Sequence, residues 1–111
     1  VTESQLQDAI RLELGRSGEV LLYRNNCGVA EMRGGFKVRF GVGSPGGSDL
    51  VGVYRGRAVF VEIKTETGRQ SPEQRQFQQC VERHGAIYVV LRSVDDARAW
   101  LADLRTRSEA A

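Results

Sequence analysis

The chain has 111 residues, 41% of them hydrophobic and 27% charged, with a net charge of +2. That is enough for one domain around a modest core, spanning 1–111, and too little for a second. No run approaches the roughly 18 consecutive apolar residues of a membrane span, and no basic stretch followed by an apolar run opens the chain as a signal peptide would.

The first predicted element is a helix over about Glu3 to Arg16. Thr2 is its N-cap, and Gln5, three residues on, completes a capping box. Leu6, Ala9, Ile10 and Leu14 form its apolar stripe. Gly15 and Gly18 punctuate its end, and a strand follows at Val20 to Arg24. From Cys27 to Gly47 the sequence is rich in glycine. Within it Phe36, Val38 and Phe40 alternate with Lys37 and Arg39, the pattern of a short strand with a basic face. Gly41 to Gly47 reads as a loop. Two clearer strands follow, Asp49 to Tyr54 and Ala58 to Lys64, joined as a hairpin by a turn at Arg55-Gly56. Ser71-Pro72-Glu73-Gln74 opens a second helix. Ser71 is the N-cap, Pro72 takes the first helical position and Gln74 closes a capping box. Phe77, Cys80 and Val81 are expected on its inner face, and Gly85 ends it. Ala86 to Leu91 reads as a buried strand. Ser93 caps a last helix carrying Val94, Ala97, Trp100, Leu101 and Leu104. The order predicts an α/β fold, a mixed central β-sheet flanked by helices.

The chemistry centres on the hairpin. Side chains alternate along a strand, so Glu62 and Lys64 share one face while Val59, Val61 and Ile63 share the other. A Glu and a Lys on a central strand are costly to desolvate unless something uses them. A simple antiparallel register around Arg55-Gly56 sets Val53 opposite Ala58 and Asp49 opposite Glu62. Two opposed carboxylates repel. A divalent cation between them removes the repulsion, and hard oxygen ligands suit Mg2+ or Mn2+. The plain alternative is a surface ion pair between Glu62 and Lys64, with Asp49 as a turn residue.

Charge is unevenly distributed. Ten of the basic residues lie between Arg24 and Arg83 against six acids. That excess suits a phosphate-binding surface, although a solvated face would look the same. Cys27 and Cys80 form no metal-binding pattern, and with one His a zinc site is not expected. Both are read as reduced. His84 ends a helix, where the dipole favours a cation. Tyr54, Tyr88 and Trp100 are expected in the core or an interface. Val1, where translation would put Met, points to a trimmed or engineered start.

The run Gly46-Gly47-Ser48-Asp49-Leu50-Val51-Gly52, followed by Phe60-Val61-Glu62-Ile63-Lys64-Thr65-Glu66-Thr67-Gly68-Arg69 and Ser71-Pro72-Glu73-Gln74, resembles the VRR-NUC family of the PD-(D/E)xK nuclease superfamily. One departure is Ser48, where the superfamily name has Pro, at a position that shapes the turn. The resemblance implies a restriction-endonuclease-like αβββαβ core. It implies that Asp49, Glu62 and the carbonyl of Ile63 bind a Mg2+ or Mn2+ ion, and that Lys64 orients or helps deprotonate the attacking water. The family's first-helix Glu falls on Glu3, which shares a helical face with Leu6 and Ile10 and would point toward the site. Its Gln falls on Gln74, which would reach the site or a phosphate. Arg69, Arg75 and Lys37 would contact DNA phosphates.

On this basis the chain is expected to be a metal-dependent, structure-selective DNA endonuclease. It would act as a homodimer on branched DNA such as four-way (Holliday) junctions, in the cytoplasm and encoded by a bacterium or phage. A flap-directed or restriction-like nuclease and a non-catalytic DNA-binding module are the alternatives.

Overall fold

The computed structural model describes residues 1–110. In chain order it contains α1 (Glu3–Arg16), β1 (Val20–Arg24), β2 (Gly28–Glu31), β3 (Lys37–Phe40), β4 (Leu50–Tyr54), β5 (Arg57–Ile63), α2 (Pro72–Arg83), β6 (Ile87–Leu91) and α3 (Val94–Ala110). Both expected capping boxes are present. Thr2 Oγ1 accepts from the Gln5 amide and Ser71 Oγ from the Gln74 amide, and each glutamine side chain reaches back to its cap.

Four strands form the central sheet in the order β1-β4-β5-β6. β1, β4 and β5 run antiparallel, and β6 lies parallel to β5. The sheet is therefore mixed, and α1-β1-β4-β5-α2-β6 is the restriction-endonuclease-like core. The β4–β5 register pairs Leu50 with Val61 and Val53 with Ala58, as the turn position predicts. Arg55 (φ 46°) and Gly56 (φ 80°) both adopt the left-handed conformation. Two such residues match the right-handed twist of the flanking strands.

Alternation then divides the sheet into two unequal faces. Val59, Val61 and Ile63 of β5 join Leu50 and Tyr54 of β4 and Val20 and Leu22 of β1. With Ile10 and Leu14 of α1 and Trp100, Leu101 and Leu104 of α3, they make the main core. Tyr54, Tyr88 and Trp100 are all buried.

The opposite face carries Phe60 and Glu62 and is covered only by α2. Phe77 of α2 stacks edge-on against Phe60 at 5.1 Å and lies 6.3 Å from Tyr88. No residue of α2 is fully buried. Cys80, expected to face inward, is exposed, because this helix turns only the narrow stripe through Phe77 and Val81 toward the sheet. Cys27 is likewise exposed, and both cysteines are free.

Sequence reading finds β3 but misses its partner. β2, Gly28–Glu31, pairs with β3 as a separate antiparallel ribbon with no ladder to the main sheet. Gly28-Val29-Ala30-Glu31 has too little apolar alternation to announce a strand, and becomes one because β3 offers it a partner. No helix among the described residues is long and apolar enough to cross a membrane.

Candidate active site

Three elements converge at the end of the sheet where β4 begins and β5 stops. Asp49 sits just before β4, and its Oδ2 accepts a 2.7 Å hydrogen bond from the Ile63 amide on β5. That side-chain bond lies just beyond the last ladder pair, Leu50 with Val61, and brings the Asp49 carboxylate against Glu62.

The backbone before Asp49 is held firmly. Ser48 is buried and its hydroxyl donates to the Leu50 carbonyl at 2.9 Å. Asn25 Nδ2 donates to the carbonyls of Ser48 and Val42, both at 2.9 Å, and Asn25 Oδ1 accepts from the Val42 amide at 3.0 Å. The Asn25 amide itself donates to the Asp49 carbonyl at 2.8 Å. Asn25 went unremarked in the sequence because a lone Asn at a strand end is an ordinary turn residue; only its partners across the fold reveal the clip.

Glu62 is the most unusual residue of the site. It is 2% exposed, and its Oε2 has no hydrogen-bond partner among the described residues. Its Oε1 accepts from Gln74 Nε2 at 3.3 Å and lies 3.9 Å from Lys64 Nζ. Burial and the adjacent Asp49 carboxylate push the Glu62 carboxyl up to about 9, against a smaller opposing pull from Lys64. Glu3 adds a weaker repulsion from the first turn of α1. Glu3 is itself exposed, so the α1 glutamate lies within electrostatic reach of the pair without being packed into it. Among the described residues no group of three or more His, Cys, Asp or Glu is arranged to hold a metal ion. The donors gathered here are thus the two carboxylates, with the backbone of Ile63 alongside.

Gln74 couples the site to α2. Its Oε1 accepts from the Ser71 amide at 2.8 Å in the capping box, while its Nε2 faces Glu62. One side-chain amide therefore closes the helix and orients a carboxylate. Behind Glu62, Gln70 Nε2 donates to the Tyr88 hydroxyl at 3.2 Å and to Gln78 Oε1 at 3.0 Å. Burial and the Glu62 charge raise the Tyr88 phenol to about 12, so it stays neutral.

The segment after Lys64 is tied down by Arg92, which sequence reading also passed over. Its Nη1 donates to the carbonyls of Thr65 at 2.7 Å and Gly68 at 2.6 Å. Arg69 is exposed just beyond. Arg75 is exposed with one guanidinium nitrogen on the Gln70 carbonyl at 2.9 Å. Lys37 is exposed on β3. A groove of 370 Å³ lies beside the site, between the foot of the ribbon (Val29, Arg39), the loop at Pro45 and Gly46, and the start of α2 at Ser71 and Gln74. A second hollow, of 480 Å³, lies at the other end of the sheet against Arg57, Phe60 and His84 and holds no carboxylate.

The residues fit a divalent cation on chemical grounds. Two carboxylates meet, one of them buried with an oxygen unpartnered among the described residues, and a cation there would offset both the burial and the Asp49 repulsion that keep Glu62 protonated.

The fold itself has a known counterpart. A solved VRR_NUC domain matches with a TM-score of 0.65 and 20% sequence identity, over 90% of this chain and 94% of that one. The likeness is one of fold, and it agrees with the resemblance carried by the motifs around Asp49, Glu62 and Lys64. No protein-family model and no curated protein matches the sequence.

Proposed function

We propose that this chain is a VRR-NUC-type nuclease, a divalent-metal-dependent endodeoxyribonuclease with selectivity for branched DNA such as four-way junctions. The observation that carries the reading is the pairing of Asp49 with the buried Glu62 carboxyl, whose Oε2 has no partner among the described residues and whose Oε1 lies 3.9 Å from Lys64 Nζ. The likeness to a VRR_NUC domain supports it.

Asp49, Glu62 and the carbonyl of Ile63 would hold Mg2+ or Mn2+. Such an ion supplies a lowered pKa for the attacking water and neutralises charge on the phosphoryl oxygens. Glu3, exposed and within electrostatic reach of Glu62, would contribute through water. Lys64, 3.9 Å from Glu62 Oε1, would orient that water and add positive charge where charge develops on the phosphate. Gln74 donates from Nε2 to Glu62 Oε1 and would help hold that carboxylate or reach a phosphate. Arg69, Arg75 and Lys37 would grip the backbone away from the cut. A homodimer suits the reading, since two sites about a twofold axis match paired cuts at a junction. Selectivity would then come from DNA shape.

The test is incubation with labelled junction, flap and linear DNA in Mn2+, Mg2+ or EDTA. Junction products that vanish in EDTA are the expected result. Lys64→Ala is expected to lower cleavage by at least about 100-fold while DNA binding persists. Metal-independent binding without products would make the chain a non-catalytic module, and equal cleavage of all substrates would remove the claim of structure selectivity.

A further inference from the structure

The β2–β3 ribbon is the least explained part of the molecule. It is a two-stranded sheet standing apart from the main one, and such a hairpin is marginal in water unless something covers it. Its register makes it two-sided. Gly28 pairs with Phe40 and Ala30 with Val38, while Val29 pairs with Arg39 and Glu31 with Lys37. The Met32 amide bonds to the Phe36 carbonyl at 2.7 Å, extending the ladder. Directly opposed residues share a face. One face is therefore Ala30, Met32, Phe36, Val38 and Phe40, all apolar, and the other is largely charged. Val29 and Arg39, from the charged side, line the groove beside Gln74 together with Gly28 at the ribbon's foot. The apolar side chains of Met32, Phe36, Val38 and Phe40 do not line that groove. Phe36 is 59% exposed on it, and Met32, Val38 and Phe40 are exposed as well.

A second bare patch lies on the main sheet. α2 covers β5 and β6 but leaves the β1 and β4 end of that face open. Leu21 pairs with Val53 across β1 and β4, and Tyr23 lies two residues along from Leu21 on the same face. Tyr23 is 57% exposed, Leu21 54% and Val53 45%.

We propose that these two patches are one interface, in which the apolar face of each ribbon covers the Leu21, Tyr23 and Val53 patch of a second copy of this chain. The reasoning is complementarity and area. Each molecule carries both apolar halves, so a twofold axis satisfies both at once, as a closed dimer requires. The exposed apolar area is on the order of 600 Å² per copy, or roughly 1,200 Å² for the pair before any polar rim, within the range of stable interfaces. The ribbon leaves and rejoins the fold beside Asp49, so docking it would fix the distance between two active sites while its charged side stays on the DNA groove. This rests on the dimeric nuclease reading and names the surface that reading needs.

The experiment is sedimentation velocity on the full chain from about 1 to 100 μM, with far-ultraviolet circular dichroism to confirm folding and junction cleavage measured on the same samples. The wild type is expected to sediment as a dimer. Phe36→Asp with Val38→Asp, and separately Leu21→Asp, should each raise the dimer dissociation constant at least 100-fold with the spectrum unchanged. Arg39→Ser, on the charged side, should leave the dimer intact. A dimer that survives both apolar variants, or one broken by the ribbon variant alone, overturns the proposed pairing. So does a monomeric wild type; if its ribbon variant then loses DNA affinity, the apolar face meets nucleic acid instead. Cleavage by the wild type reports separately on the nuclease reading, which stands or falls whatever the sedimentation shows.

Discussion

Two buried side-chain oxygens lack a hydrogen-bond partner among the described residues, the Tyr54 hydroxyl and Glu62 Oε2. Tyr54 lies within the apolar core on the α1 and α3 side, with no acid beside it in that cluster. Removing its hydroxyl removes an unpaired polar group, so Tyr54→Phe is expected to be neutral or stabilising by up to about 1 kcal/mol in urea unfolding. Glu62 faces Asp49, Lys64 and, more distantly, Glu3. In metal-free protein its carboxyl holds a proton up to about 9, against 4.5 ordinarily. Between those values the folded state binds one more proton than the unfolded chain. Stability without metal should therefore fall as pH rises through that window. Glu62→Gln removes this slope. In EDTA at pH 8 the variant should melt above the wild type, and near pH 4 the difference should vanish. A wild type whose metal-free stability climbs steadily from pH 5 to pH 9 relative to Glu62→Gln would contradict the burial and pairing described.

Elements here are tied to the site through their ends. Gln74 serves two partners, and a carboxylate at the third helical position keeps a capping box working. Gln74→Glu should thus preserve the α2 cap while setting a third acid against Glu62 and Asp49. The expected outcome is a lower metal-free Tm and a cleavage rate that needs more Mg2+ to reach its maximum, measured by calorimetry and a metal titration. Gly52 marks a different constraint. A Cβ there would run into the Leu21 carbonyl oxygen of β1, a clash with backbone that no rotamer relieves. Gly52→Ala is expected to destabilise by more than about 2 kcal/mol, read from the urea midpoint. Much at this scale was legible beforehand. The capping residues named α1 and α2, and the Arg55-Gly56 turn set the register that brings Asp49 to Glu62. What was not legible depends on chain segments far apart in sequence. β2 is a strand only because β3 lies beside it, Cys80 faces out because α2 covers one edge of the sheet, and the Asn25 and Arg92 contacts join residues 17 to 27 positions apart.

For the molecule as a whole, metal and stability should be linked. An ion that binds only the folded pair of carboxylates stabilises by about 2.7 kcal/mol at 100 times its dissociation constant. In a domain of this size each kcal/mol moves Tm by about 4–8 °C. Mg2+ or Mn2+ should therefore raise the Tm of the wild type by roughly 10–20 °C at that concentration. Asp49→Asn should lose nearly all of the shift, and an equal rise in that variant would place the ion elsewhere. That Asp49 comes close to Glu62 and Lys64 was readable from alternation and the turn position, which settle which residues meet on a strand pair. The depth of Glu62 was not, since it depends on α2 lying over it.

The Asn25 side chain and amide clamp residues 42, 48 and 49 together, on either side of the ribbon's exit and return. The foot of the ribbon belongs to that knot, with Cys27 Sγ on the Val42 carbonyl, while its far end around Arg33 to Gly35 stands clear of it. Residues inserted at that far end are expected to lengthen the arm while leaving the carboxylate at its root in place. In a two-armed assembly its length would act as a ruler, so that one catalytic core could serve substrates of different span by changing only the reach of a two-stranded lever.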